Sequence, residues 1–226
     1  KKFIIKLYKY SDMVITFSED NKNYFKKKLN IKNVKVIYNF FPKNYGNKKV
    51  KKIYNIFFIG RLVDDKDPIF FIRNLINLNN FDKFKIHIVG KGNCLKEMKK
   101  ISKNFSKNIR FYGYLEDPLV KLHKVIDLVC VTSKYDGTPN ILGEALSYKI
   151  PCLAPTKVGL SDYIFQNGKF GFLYKPGNDE SFKKQIMNIF NNYNHAINKA
   201  KKGFNSLNRF DKNNTLIKLE NFINKL

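Results

Sequence analysis

Tyr54-Asn55-Ile56-Phe57-Phe58-Ile59-Gly60-Arg61-Leu62-Val63-Asp64-Asp65-Lys66-Asp67-Pro68 is the stretch that decides the fold. It opens on a near-continuous apolar run, which is what a strand covered on both faces requires. A glycine ends the run and a charged loop follows. Asp67-Pro68 then supplies an N-cap and a first-turn proline for a helix in which Ile69, Ile72, Leu75 and Ile76 share one side.

The same pattern recurs along the chain. Further strands are expected at Phe84–Val89, Ile109–Tyr112, Leu128–Val131, Cys152–Ala154 and Gly171–Tyr174. Asp117-Pro118 is expected to cap a second helix carrying Leu119, Leu122 and Val125. Strands alternating with helices imply parallel pairing through right-handed crossovers. The expected fold class is therefore α/β, a doubly wound Rossmann-like sheet. After Asp179 the pattern turns helical, giving two or three C-terminal helices. The first fifty residues form a separate group, with a strand at Asp12–Phe17, a helix at Glu19–Leu29 and a strand at Val34–Tyr38. A polar, turn-rich break over residues 41–48 follows, so residues 1–46 and 47–226 are expected to be distinct domains. The first residue is Lys, which suggests a piece of a longer protein.

Composition narrows the function classes. Of the 226 residues 43% are hydrophobic and 15% aromatic, enough for a packed core and against disorder. The formal charge of +25 invites a nucleic-acid reading, but the cations are almost all Lys and run the whole length without forming a stripe. Solvated surface is the simpler reading; attraction to an anionic membrane comes next, and no nucleic-acid partner is expected. Cys94, Cys130 and Cys152 lack metal-ligand spacing, and two of them lie in apolar runs as buried thiols would. No apolar stretch approaches the roughly 18 to 20 residues of a membrane span. The expected location is cytoplasmic, with peripheral contact at the inner face of the membrane.

In an open parallel sheet ligands collect beyond the carboxyl ends of the strands, so the residues following each strand carry the chemistry. After the first come Gly60, Arg61 and Lys66: a glycine permitting close approach and two cations suited to a diphosphate. After the second, Gly90-Lys91-Gly92 lacks the third glycine of a dinucleotide fingerprint, because that position is Leu95. The most informative stretch is Ser133-Lys134-Tyr135-Asp136-Gly137-Thr138-Pro139-Asn140-Ile141-Leu142-Gly143-Glu144-Ala145. It is expected to open a helix with Thr138 as N-cap and Pro139 in the first turn, offering amides to an anion. Asp136 and Glu144 flank that helix end. Carboxylates accept hydrogen bonds from sugar diols, so amides for phosphate and acids for hydroxyls fit a nucleotide sugar.

The order strand-Gly-Arg-Leu-x-x-x-Lys, Gly-x-Gly, Phe-x-Gly-Tyr, Ser-x-x-acid-Gly-x-Pro, Glu-Ala closely resembles family-4 retaining glycosyltransferases of GT-B fold. The likeness runs from about Ser11 to the end and includes Ser11-Asp12-Met13-Val14, Thr16-Phe17-Ser18-Glu19 and Val36-Ile37-Tyr38-Asn39. It implies that most of the chain is the C-terminal, donor-binding half of a GT-B enzyme, preceded by the end of the N-terminal domain. It further implies that Arg61 and Lys66 bind the diphosphate, and that Asp136 contacts the donor sugar or the charge developing near it. Glu144 would hold the ribose hydroxyls. The Asn140, Ile141 and Leu142 amides would meet the diphosphate, and the Gly113-Tyr114-Leu115 backbone would read the base. Gly60, Gly90, Gly92, Gly137, Thr138 and Pro139 complete the expected donor site. The implied substrates are a nucleoside-diphosphate sugar, UDP being the expected carrier, and a saccharide or lipid-linked acceptor. No cofactor is implied.

The chain departs from the family pattern in places. The first acid is Asp136, one methylene shorter than the usual Glu; Val158-Gly159-Leu160-Ser161-Asp162 carries one glycine where two are common; and Asn39-Phe40-Phe41-Pro42 replaces Asn-Gly. Asp65-Lys66-Asp67 spells an acid-x-acid metal motif, but Asp67 is read as a helix cap and no essential metal is expected. His87, His123 and His195 lack partners at useful spacing and read as structural or surface residues. The competing readings are a nucleotide-sugar epimerase sharing the fold and a basic nucleic-acid-binding module.

Overall fold

The computed structural model describes residues 2–44 and 54–225 and groups them into two compact units, Lys1–Pro42 with Asn208–Leu226, and Lys43–Leu207. The break expected between residues 46 and 47 lies outside the described residues.

In the first unit two short parallel strands, β1 (Val14–Thr16) and β2 (Val34–Val36), flank the Glu19–Leu29 helix. Ser18 caps that helix by accepting from Asn21 N at 3.1 Å, and Asn30 ends it in the left-handed conformation. Val14, Ile31 and Val34 form a small core with Phe25 and Leu29 against it. The sequence reading placed residues 208–226 with the second domain, whereas their contacts lie with the first. Phe210 packs on Phe41 with ring centroids 5.2 Å apart and accepts from Phe41 N through its carbonyl, and Lys35 lies over the Phe222 ring. Helical periodicity alone cannot show which unit a helix covers.

The second unit is the doubly wound sheet. Its strands are β3 (Tyr54–Ile59), β4 (Phe84–Val89), β5 (Ile109–Gly113), β6 (Leu128–Cys130), β7 (Cys152–Pro155) and β8 (Phe172–Tyr174). All pairs are parallel, in the order β5-β4-β3-β6-β7-β8. The chain winds outward from β3 to one edge and then from β6 to the other, so the topological switch point lies between β3 and β6. Ile56, Phe58, Ile86 and Ile88 face Phe71, Ile72 and Leu75 of the Pro68–Ile76 helix and Phe182, Ile186 and Ile189 of the Asp179–Asn191 helix in one continuous core. Each such side chain, fully buried, contributes about 1.5–3 kcal/mol. Two further helices, Tyr193–Ser206 and Lys212–Ile223, complete the expected helical C-terminus.

Two matched helix starts behave differently. Asp67 caps as expected, accepting from Phe70 N at 3.1 Å. Asp117 makes no capping bond, and its helix stops at Leu122, so Val125 lies beyond it. Cys130 and Cys152 are buried on adjacent strands, and burial pushes both thiols up. His87 is also structural: its ring stacks on Phe57 at 4.3 Å, with Nδ1 3.0 Å from Tyr112 Oη and Nε2 2.9 Å from Asn55 Oδ1. Burial, then Arg110 and Lys85, lower its pKa to about 4.

The strand-end loops approach unusually closely. Leu62 N donates to Lys91 O at 2.8 Å, Cys94 N to Leu62 O at 3.0 Å and Gly90 N to Gly113 O at 2.7 Å. A Cβ on Gly90 would lie 1.8 Å from Gly60 O, and one on Gly92 would lie 2.1 Å from Leu62 O. Chain packing alone therefore requires both glycines.

Gly90→Ala should cost at least about 3 kcal/mol, since a backbone carbonyl cannot swing aside as a side chain can and the residue is held at φ +146°. Gly137→Ala, with open space around its Cβ, should stay within about 0.5 kcal/mol of wild type; urea denaturation of both variants compares them. A second expectation concerns pH. An unfolded His87 titrates near 6.5 and the folded one at about 4. Stability tied to the neutral imidazole is thus complete above pH 6.5 and is lost as pH falls toward 4. The stability gap between wild type and His87→Gln should narrow over that window in denaturation series run at each pH.

Candidate functional site

Two cavities open beyond the carboxyl ends of the strands, on either side of the Ile59–Gly60 corner. The first, of about 360 Å³, is walled by Arg61, Lys91, Tyr114, Leu115 and Pro118 beside Val89 and Gly90. The second, of about 220 Å³, sits at the switch point between β3 and β6, lined by Lys66, Thr132, Ser133, Asp136, Thr138 and the start of the Asn140–Ser147 helix. Both have apolar floors; the first adds the cations Arg61 and Lys91, the second an ion pair and hydroxyls.

The two cations expected to act together are therefore divided. Arg61 is exposed at the rim of the first cavity, while Lys66 reaches into the second. There Lys66 Nζ forms an ion pair with Asp136 Oδ2, which also accepts from Ser133 Oγ at 3.2 Å. The cation assigned to phosphate and the acid assigned to sugar are thus each other's partners. Their side chains are 23% and 10% exposed, so the pair is much less screened than a surface one.

The pair is held from both loops. Thr132 Oγ1 donates to Lys66 O at 3.0 Å and to Asp67 O at 2.9 Å, and Lys134 N donates to Asp65 O at 2.9 Å. Lys134 Nζ reaches Asp64 at 2.7 Å and Asp67 at 3.6 Å. Sequence reasoning missed Thr132 and Lys134. Ser133 and Lys134 stood inside the motif and Thr132 just before it, but Thr132 and Lys134 owe their roles to partners about 65 to 70 residues away. Gly159 supports the same loop from beyond, since a Cβ there would lie 2.9 Å from Gly137 O.

The helix start differs from expectation. Thr138 was expected to cap it, yet the helix begins at Asn140 with Pro139 before it and no side-chain cap bond. The reason is a tight turn: Asn140 N donates to Thr138 O at 2.9 Å and Leu142 N to Pro139 O at 3.0 Å. Two of the three amides expected to meet a diphosphate are thereby engaged. Ile141 N is the one of the three given no backbone acceptor among the described residues. Thr138 Oγ1 is buried without a hydrogen-bond partner among them, in a residue that lines the second cavity. Glu144 lines neither cavity; the residue as a whole is exposed, but partial desolvation of its carboxyl end, then the charge of Asp117, raises its pKa. Gly113, at φ +70°, turns the chain from β5 into Tyr114.

Comparison with known proteins places this geometry. Residues 40–206 match the family described as Glycosyl transferases group 1. An alpha-1,4-N-acetyl-D-galactosaminyltransferase of Campylobacter jejuni, named for an undecaprenol-linked acceptor, is 23% identical over 202 residues, covering 80% of this chain and 55% of its own length. The lipopolysaccharide 1,6-galactosyltransferase of Escherichia coli is 31% identical over 104 residues, 44% of this chain and 29% of that protein. The crystal structure of S. aureus TarM with UDP and alpha-GlcNAc-glycerol superposes with TM-score 0.88 at 26% identity, over 99% of this chain and 46% of that one. The chain thus spans little more than half the length of the first curated relative. None of these three is named as an epimerase or a nucleic-acid-binding protein.

A buried hydroxyl without a partner costs about 1–3 kcal/mol. Thr138→Val keeps the shape and removes that group, so it should leave the protein as stable as wild type or up to about 1 kcal/mol more stable. Thermal denaturation measures the difference.

Proposed function

The chain belongs to the group 1 glycosyl transferases, and from that premise we propose that it is the donor-binding part of a family-4 retaining enzyme of GT-B fold. In this reading the full enzyme transfers a sugar from a UDP-sugar to a saccharide or lipid-linked acceptor of a surface glycoconjugate. The observation that carries the reading is the pair of cavities that adjoin at Gly60 beyond the strand ends, one walled by Tyr114 and Leu115 with Arg61 and Lys91, the other holding Lys66, Asp136 and the Thr138 hydroxyl at the switch point. A nucleotide sugar has the same division of chemistry.

The base lies in the first cavity against Tyr114 and Leu115, read by the Gly113-Tyr114-Leu115 backbone. The diphosphate crosses the Gly60 corner between Arg61 and Lys66 and meets the Ile141 amide. The Thr138 hydroxyl finds its partner there. Asp136 contacts the sugar or the charge developing on it, and Glu144 accepts from the ribose hydroxyls. During transfer the bond between the sugar C1 and the diphosphate oxygen breaks and its electron pair stays with the diphosphate. The acceptor hydroxyl oxygen bonds to C1 on the same face and passes its proton to the departing diphosphate oxygen. Arg61 and Lys66 stabilise the departing charge in place of water. Lys66 exchanges part of its bond to Asp136 for one to phosphate, which leaves the acid free to turn to the sugar.

Residues 1–46 are the end of the acceptor-side domain in this reading, and the chain binds donor without transferring it. The full protein works at the cytoplasmic face of the membrane, its lysines favouring anionic lipid.

The test is a thermal-shift series with UDP, GDP, ADP and UDP-sugars. UDP at a hundred times its Kd should stabilise the chain by about 2.7 kcal/mol, roughly 5–10 °C in a chain this long. Glu144→Ala and Lys66→Ala should abolish the shift, and Thr138→Val should reduce it. A longer form of the protein carrying Lys66→Ala should lose about 10²–10³ in turnover, by analogy with a lost oxyanion donor. A shift with no nucleotide, or one unchanged in the Glu144 and Lys66 variants, overturns the reading.

A further inference from the structure

A third cavity, of about 660 Å³, lies away from the switch point, beside the edge strand β8. It is lined by the loop entering β8, by Phe172 and Leu173 of the strand, and by two helices. From the Asp179–Asn191 helix come Gln185, Asn188 and Asn191, at i, i+3 and i+6, with Asn192 just after it. That spacing puts three amides on one helical face, while Phe182, Ile186, Ile189 and Phe190 turn into the core. His195 and Lys199 follow at i and i+4 on the next helix.

Asn192 accepts from His195 N at 3.2 Å and so holds the corner between the helices. Gln185 and Asn188 make no side-chain hydrogen bond within the described residues, and Asn191 adds a third such amide. Lys199 Nζ sits 4.4 Å from the centre of the Phe172 ring, and burial lowers its pKa. The edge of that ring faces His195 at a centroid distance of 6.4 Å. The floor is thus an aromatic ring covered by a cation, and the walls are amides. Among the described residues no carboxylate lines the cavity.

Side-chain amides both donate and accept, as hydroxyl groups do, whereas a carboxylate only accepts and an ammonium only donates. One cation already engaged with a ring is a poor match for a phosphate or sulfate group, which draws clustered Arg and Lys. We propose that this groove is a second saccharide-binding site, which holds a neutral oligosaccharide segment through Gln185, Asn188 and Asn191. Its occupant is a stretch of glycan distinct from the sugar on the nucleotide. The site deepens the transferase reading in one respect, because a glycan held there keeps a growing acceptor near the enzyme between transfers.

The experiment is an amide-detected NMR titration of the ¹⁵N-labelled chain with neutral trisaccharides of glucose, of galactose and of N-acetylglucosamine, each to about 20 mM, a range that detects millimolar Kd. A sulfated trisaccharide and UDP are run in parallel. At least one neutral trisaccharide should give saturable shifts in the Gln185 and Asn188 side-chain amides and at Phe172, without displacing UDP. The double variant Gln185→Ala with Asn188→Ala should weaken that binding at least tenfold while leaving Tm and the UDP response unchanged. Absence of saturable shifts with all three neutral sugars overturns the proposal. So does binding of the sulfated sugar alone, or binding indifferent to the double variant. The UDP arm reports on the donor site by itself, so failure of one assignment is not failure of the other.

Discussion

The rest of the second unit's chemistry depends on how the loops after β3 and β6 fasten to each other across the switch point. Neither loop has regular structure long enough to hold its own shape. Thr132 supplies one hydroxyl to two carbonyls of the first loop, Lys134 bonds its backbone to Asp65 and its ammonium to Asp64, and Lys66 pairs with Asp136. Backbone carbonyls and charges that water would otherwise solvate are satisfied between the loops. The cavity walls therefore stand on a cross-braced base, and Lys66 and Asp136 are delivered to the same point from opposite sides.

That bracing has an electrostatic consequence. A lone lysine or a lone aspartate at this depth would carry a desolvation cost, and pairing removes much of it. The pair is also a store of binding capability, since a ligand carrying both an anion and hydroxyls can take each partner in turn. Thr138 adds a polar group with nothing to bond among the described residues. Satisfied groups dominate protein interiors, so an unsatisfied one beside a cavity is a group that the proposed donor site would use. Glu144 stands apart from this cluster, with its carboxyl raised by burial and by Asp117.

The glycines divide by the reason for their presence. Gly90 and Gly92 are dictated by backbone approaching backbone, and Gly159 by its contact with the Asp136–Gly137 carbonyls. Gly113 and Gly137 have open space around them. In the sequence Gly90, Gly92, Gly113 and Gly137 all read alike, as residues of the donor site. The structure distinguishes those that build the platform from those that leave room on it.

The six strands of the sheet, their parallel pairing and the Asp67 cap followed from residue order alone, because apolar runs and capping are local and each segment carries its own signal. Residues of the strand-end loops could be picked out for the same reason: strands of a parallel sheet point their carboxyl ends to one side. The tertiary structure decided what those residues touch. It set Arg61 and Lys66 on adjoining cavities, joined Lys66 to Asp136, moved the helix cap from Thr138 to Pro139, and drew residues 208–226 to the first unit. Each of these depends on a partner tens of residues away or on how a tight turn spends its amides, and no periodicity or spacing along a chain records such distances.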